Sequence, residues 1–374
     1  MSTKKIFISA GELSGDIHGG DLIHSLTNKQ TDIDITAIGG DNMQEAGADL
    51  LYHIEETSFM GLVEVVKHLP KIYSIWRTTK KHIQKIQPDL IILIDYPGFN
   101  LRLAKFANKH NIPVVYYISP KIWAWKEYRV KTIRKSVDKV ISILPFEVEW
   151  YRERGVEVEY VGNPLVEQFE PVKEPKKSNL IHNPQIGLFP GSRNQEVDSL
   201  LPTMIKGVQK LKSKYSGLEA RIAMAPGVDF KQYRSEYPFP WLEWEQGNNT
   251  EIMRESDFLI MCSGTATLEA TVLNTPMVVL YKVSPLTYLL GRWLIKVSFI
   301  SLTNLIADKE IVPELIQYRA DSDHIYSVVK DYFQNPDKIN QMRKDLAQVT
   351  RMLGEEGVSK RAGEVVLKTI KQYD

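Results

Sequence analysis

Two acidic residues stand directly behind apolar runs, the place where parallel-sheet enzymes keep functional carboxylates. Asp95 closes Ile91-Ile92-Leu93-Ile94 and opens Tyr96-Pro97-Gly98-Phe99-Asn100. Apolar walls disfavour the charged form of a carboxylate, raise its pKa and make it a better base near neutrality. Glu12 follows Ile6-Phe7-Ile8-Ser9-Ala10 in the stretch Gly11-Glu12-Leu13-Ser14-Gly15-Asp16-Ile17-His18-Gly19-Gly20. Glycines there admit a ligand close to the backbone, and a helix N-terminus favours an anion. The spacing is not G-x-G-x-x-G, which speaks against a dinucleotide. Plainer roles compete: Asp95 as a helix cap, Ser14 or Asp16 as a cap, the glycines for packing. On the functional reading Asp95 and Glu12 converge on one end of one sheet, with Ser14 close to Glu12 in sequence.

A second constellation suits a nucleotide diphosphate. Ile186-Gly187-Leu188-Phe189-Pro190-Gly191-Ser192-Arg193 is a strand running into a Gly-Ser turn and a helix that carries Glu196. Backbone amides of Gly191 and Ser192 with the forked guanidinium of Arg193 match phosphate oxygens. The G-K-[ST] of a P-loop is missing, which argues against ATP hydrolysis. Cys262-Ser263-Gly264-Thr265-Ala266-Thr267-Leu268-Glu269 repeats the pattern: Ser263, Gly264 and Thr265 open a helix able to accept phosphate. Glu269, a turn further on, has the placement to take ribose hydroxyls in bidentate fashion. Asn304, in Ser301-Leu302-Thr303-Asn304, offers an amide to close the site. A plain turn with a solvated Arg193, and a surface Glu269, are the plainer alternatives.

Aromatic and basic residues mix in three further stretches. Residues 116–126 (YYISPKIWAWK), followed by Arg129, Lys131, Arg134 and Lys135, suit phosphate or a head group, or else form a packed Trp pair with solvated charges. Residues 59–85 hold Lys67, Lys71, Lys80 and Lys81 around Ile72 and Trp76, with no acid between Glu64 and Asp89. Such a segment can lie in a bilayer interface with its lysines toward anionic lipid, or be a core helix with a basic outer face. Residues 286–300, with Trp293 between Arg292 and Lys296, look similar.

These residues need a scaffold, and the apolar runs supply it. Runs at 5–10, 35–38, 90–95, 114–118, 140–144 and 158–161 alternate with amphipathic stretches, the rhythm of a parallel sheet. A Pro- and Lys-rich stretch without periodicity, 171–184, reads as a linker. A second series then starts at 185–189, 219–225, 257–262 and 276–281. The expected fold is α/β with two Rossmann-like domains, 1–170 and 185–349, facing a cleft. The C-terminal helix, about 350–374, is expected to return to the first domain. Net charge is +1, from 47 basic and 46 acidic residues, so no whole-molecule field draws in nucleic acid. The single cysteine, Cys262, rules out an internal disulfide and fits a reducing compartment. No run reaches the roughly 20 apolar residues of a membrane span, and the N-terminus lacks a signal peptide's apolar length.

With these residues in view, the chain resembles the lipid-A-disaccharide synthase family. The matching stretches are 10–15 (AGELSG), 60–65 (MGLVEV), 94–100, 119–125 (SPKIWAW), 144–147 (LPFE), 190–193, 263–269, 276–281, 301–307 and 312–317. They are collinear, and as a set highly specific. The resemblance implies a GT-B type hexosyltransferase of lipopolysaccharide biosynthesis. It would transfer 2,3-diacylglucosamine from its UDP derivative to O6 of 2,3-diacylglucosamine 1-phosphate, with inversion, giving a β-1,6 disaccharide 1-phosphate and UDP. It places Asp95 and Glu12 among the acceptor-side carboxylates, Arg193 at the diphosphate, and Glu269 and Asn304 in the nucleotide half. It implies no cofactor and no metal, a cytoplasmic enzyme bound peripherally to the inner face of the membrane, and is compatible with a homo-oligomer. Asp32-Ile33-Asp34 has the D-x-D form of metal-dependent transferases, but no nucleotide feature adjoins it. Two positions depart from the family: Gly98 stands where many relatives have an acid, and Asn163 where a histidine is frequent.

Two other classes compete. A UDP-sugar epimerase of the same fold would share the nucleotide site but need no acceptor. A non-enzymatic lipid or nucleic-acid binding protein would leave the diphosphate constellation without a purpose.

Overall fold

The computed structural model describes residues 3–29, 32–57, 68–169, 183–284, 288 and 297–373. Lys67 and most of 171–184 lie outside these residues, as do 59–66 and 289–296 with Arg292, Trp293 and Lys296. Two compact units make up the chain: Met1–Pro164 with Glu355–Asp374, and Leu165–Gly354.

In the first unit the described strands are β1 (Lys4–Ser9), β2 (Ile33–Gly39), β3 (Asp49–His53), β4 (Leu90–Ile94), β5 (Val114–Tyr117), β6 (Lys139–Ser142) and β7 (Val158–Tyr160). They form one parallel sheet in the order β3-β2-β1-β4-β5-β6-β7. Helices cover both faces of such a sheet, so its inner strands read as unbroken apolar runs; every residue of β4 is buried. Chain order reverses between β1 and β4, and the crevice at the carboxyl ends of strands beside such a reversal is where α/β sheets bind ligands. Glu12 follows β1 and Asp95 follows β4.

The second unit repeats the plan. Strands β8 (Gln185–Phe189), β9 (Glu219–Met224), β10 (Leu242–Gln246), β11 (Phe258–Cys262), β12 (Met277–Tyr281) and β13 (Glu314–Ile316) pair in parallel in the order β10-β9-β8-β11-β12-β13. Its reversal lies between β8 and β11, whose carboxyl ends carry Gly191-Ser192-Arg193 and Ser263-Gly264-Thr265.

The C-terminal helix Val358–Lys371 packs in the first unit against the helix Leu13–Lys29. Close approach there depends on Gly363, where a Cβ would stand 2.5 Å from Ser25 Oγ. A Lys29 to Glu364 ion pair of 2.5 Å borders the contact. Asp32 and Asp34 lie at the start of β2, the end of the sheet opposite Asp95. Among the described residues, no helix is long and apolar enough to cross a membrane.

Candidate active site

The carboxyl end of β4 is bent into a backbone that few residues adopt. Asp95 and Tyr96 both have left-handed φ, 42° and 48°, and so does Ile118 after β5, at 57°. A β-branched residue in this region is costly, and such strain persists only where surroundings enforce it. Asn100 is the enforcer at Asp95: fully buried, it donates its amide to the carbonyls of Asp95 (2.9 Å), Ile94 (3.1 Å) and Ser9 (3.1 Å). Its Oδ1 accepts from Ser9 Oγ at 2.8 Å, which ties the ends of β1 and β4 together. Tyr116 Oη donates to the Asp95 carbonyl at 2.6 Å, and the Asp95 amide donates to Ile118 O at 3.2 Å.

This framework turns the Asp95 carboxyl into a half-buried group with a pKa raised to about 6. Burial is the main cause; the charge of Glu12 adds to it, while Lys121 and an amide bond from Tyr96 oppose it. Glu12 is exposed, as is Ser14. The first two motifs therefore meet, and Gly11 shows how tightly: a Cβ there would fall 2.2 Å from the Tyr96 ring. That ring stacks on Phe99 with centroids 5.8 Å apart, and its hydroxyl donates to Thr57 O at 2.9 Å. Beside it lies an apolar pocket lined by Ile38, Thr57, Ile72, Ile75, Tyr96 and Phe99. Gly98 is exposed, and a Cβ there would meet open space, so its lack of an acid reflects no steric demand. Asn163 is buried and donates to Ile143 O at 3.1 Å.

Asp16 has a purely architectural place. Fully buried, it accepts from the amides of Gly40 (2.6 Å), Asn42 (3.1 Å) and Met43 (3.1 Å), capping the helix Asp41–Glu45.

In the second unit, Gly191 takes φ 120°, and a Cβ on it would stand 2.5 Å from Glu196 Oε2. Glu196 corrects part of the sequence reading. Its Oε2 accepts from the amides of Ser192 (3.0 Å) and Arg193 (3.2 Å), a capping box that occupies one of the two amides expected to hold phosphate. The Arg193 guanidinium, 75 % exposed and 3.3 Å from Glu196 Oε1, stays open to meet an anion. Ser263 is likewise committed: its amide donates to Leu280 O at 2.9 Å and its hydroxyl to Ile300 O at 3.0 Å. Gly264 and Thr265 stay exposed.

Asn304 departs furthest. It is fully buried, and its amide donates to Val312 O (2.8 Å) and Glu314 Oε1 (2.9 Å) while its oxygen accepts from Ile311 and Val312 amides. A side chain bonded at both ends pins one loop to another and has no amide to give a phosphate or base. Glu269 is the opposite case: half-buried, with a pKa raised by burial, it has no hydrogen-bond or ion-pair partner among the described residues.

The basic helix Leu69–Ile86 also corrects an expectation. Trp76 packs edge-on against Phe99 (5.6 Å) and Phe106 (6.2 Å), and Ile72 lines the pocket near Tyr96, so the face expected toward lipid is turned to the core. Lys80 Nζ sits 5.4 Å from the Trp76 ring centre. Lys71 and Lys81 are exposed, together with Leu69 (52 %) and Tyr73 (66 %).

Solved structures with this architecture include the UDP-GlcNAc 2-epimerase of Neisseria meningitidis bound to UDP-GlcNAc, with TM-score 0.67, 12 % identity, and 97 % of this chain and 100 % of that one covered. A glycotransferase of kitacinnamycin aligns with TM-score 0.65 at 12 % identity, covering 97 % and 98 %. At such identity the likeness speaks for the fold, and that fold is GT-B, the two-domain architecture of glycosyltransferases and UDP-sugar epimerases. The family model for lipid-A-disaccharide synthetase matches residues 6–369. The lipid-A-disaccharide synthases of Syntrophus aciditrophicus and Myxococcus xanthus are each 37 % identical, the first over all of both chains, the second over 98 % of this chain and 97 % of its own. The chain belongs to the lipid-A-disaccharide synthase family and is a glycosyltransferase of lipid A biosynthesis.

Proposed function

We propose that this chain transfers 2,3-diacylglucosamine from UDP to O6 of 2,3-diacylglucosamine 1-phosphate in a single inverting displacement. The observation that carries the reading is Asp95, a carboxyl at a sheet's reversal point with its pKa raised to about 6. Ionised at neutral pH yet still basic, it takes the proton of O6 as that oxygen attacks C1 of the donor. The C1–O bond to UDP breaks with its electron pair leaving on the diphosphate, and a bond forms on the opposite face of the sugar. Arg193 neutralises the charge that develops on the diphosphate. Glu269, half-buried and with its carboxylate unpaired among the described residues, receives the ribose hydroxyls. Glu12 orients the acceptor, with Ser14 beside it. No metal has a role in this scheme.

The proposed setting is the inner face of the cytoplasmic membrane. Leu69 and Tyr73 would enter the interface while Lys71 and Lys81 meet anionic head groups.

Incubation with both acylated sugars tests the reaction. The expected products are UDP and a disaccharide 1-phosphate whose new linkage is β by proton NMR. Release of UDP without an acceptor would favour an epimerase, and an α linkage would overturn the single displacement.

A further inference from the structure

The loop after β5 holds a group of cations that the mechanism above does not use. It starts at Ile118, whose carbonyl accepts the Asp95 amide, so the loop departs from the catalytic strand end itself. Glu147 then fixes its course. Fully buried, Glu147 accepts from Ser119 Oγ (3.0 Å), Trp123 Nε1 (2.8 Å) and Ser142 Oγ (2.5 Å), and Trp123 packs edge-on against Phe146 at 4.9 Å. Lys121 lies between the two anchored residues, exposed, and is felt electrostatically by both Asp95 and Glu147. Arg129, further along, is felt by Tyr116, whose hydroxyl bonds the Asp95 carbonyl, and by Lys126.

Among the described residues Lys121 and Arg129 form no ion pair and no side-chain hydrogen bond, and Lys126 has the Trp125 ring as its partner at 3.8 Å. Of the nearby acids, Glu127 pairs with Arg154 at 2.9 Å and Glu147 is enclosed by its three donors, while Asp95 is coupled electrostatically to Lys121 without forming an ion pair with it. Burial and proximity to Arg129 both lower the pKa of Lys126. Three cations on one anchored loop, none of them ion-paired to an acid among the described residues, describe a seat for an anion.

We propose that Lys121 and Arg129, with Lys126 beside them, bind the phosphomonoester of the sugar acceptor. This deepens the function proposed above and rests on it: an acceptor whose hydroxyl meets Asp95 carries its phosphate across one pyranose ring. Lys121 and Arg129 thereby select a phosphorylated acceptor over its dephosphorylated form. The alternative source of the same chemistry is a lipid head group at the membrane surface.

The test measures binding by calorimetry, using soluble short-chain 2,3-diacylglucosamine with and without its 1-phosphate, on the whole chain and on a Lys121→Met, Arg129→Gln double variant. The native chain should prefer the phosphorylated sugar by about tenfold or more, the scale of charge-assisted hydrogen bonds. The double variant should lose that preference while its affinity for UDP is unchanged, the latter excluding misfolding. Arg129→Lys should keep part of it. Equal binding of both sugars by the native chain, or a preference that survives in the double variant, overturns the proposal. So does loss of binding to phosphatidylglycerol vesicles with the sugar preference intact, which would assign the cations to lipid. If the native chain prefers the phosphorylated sugar yet forms no disaccharide, the transfer reaction fails and the phosphate seat stands.

Discussion

The two sheets place residues at the same topological position and equip that position in opposite ways. At the β1/β4 reversal, Asn100, Tyr116 and Ser9 lock the backbone in a strained geometry and burial tunes Asp95 before any ligand arrives. At the β8/β11 reversal, Arg193 is 75 % exposed and held by a neighbour one turn along, and neither it nor the Glu269 carboxylate has another side-chain partner among the described residues. On the mechanism proposed above, the contrast follows from chemistry. A base must hold its pKa at every moment, so its environment is built in advance. A cation for a leaving diphosphate acts only when the nucleotide is present, and a loosely held guanidinium on solvent costs little to keep ready.

The largest effect should come from the tuned site. Asp95→Asn is expected to lower kcat by about 10²–10⁴, the scale of a lost general base, with UDP affinity retained. Near-normal kcat in that variant, with a collapse in Glu12→Gln, would move the base to Glu12. Next comes Arg193→Lys, where charge stays but the fork is lost; kcat should fall about tenfold or more in single turnover with donor bound. Full activity would remove Arg193 from the reaction and leave the second unit's exposed groups without a catalytic member.

Glu269→Gln should act on the donor KM, about tenfold, with kcat kept, because ribose contacts stabilise ground and transition states alike. A fall in kcat at unchanged KM would show that the second site, too, is tuned for the chemical step. The smallest shift is in pH dependence. The base works deprotonated, so kcat/KM should decline as pH drops through about 6, the pKa of Asp95. Glu12 raises that pKa, so Glu12→Gln should move the acid limb to lower pH, with a rise in acceptor KM. A limb that stays in place would uncouple the two carboxylates.

What the sequence disclosed follows the same contrast between enclosed and open surroundings. Inner strands such as Leu90–Ile94 and Phe258–Cys262 announce themselves because both faces are buried. The strands that escaped notice, Asp49–His53, Leu242–Gln246 and Glu314–Ile316, are all at sheet edges, where one side meets solvent and the apolar run breaks up. Asp95 was legible from the run before it. Asn100 stood in the quoted motif, but its service to three carbonyls depends on β1, about ninety residues away in sequence. Asn304 and the Ser192 amide misled for one reason: a polar group near a helix start can serve a ligand or its own chain, and local sequence does not separate the two. Trp76 misled because a helix with one apolar face reads alike whether that face meets lipid or core.

The return of the helix Val358–Lys371 to the first unit makes the second unit an insertion within the first. During synthesis the strands that carry Glu12 and Asp95 leave the ribosome long before Val365, Val366 and Ile370, which bury part of the same unit's surface. The nascent first unit must therefore wait, with the contact face of the helix Leu13–Lys29 uncovered, while the whole second unit is made. A chain that stops short of Val358 would leave Asp95, the proposed base, on an unfinished scaffold, so synthesis of the helix Val358–Lys371 becomes a checkpoint on completing the first unit.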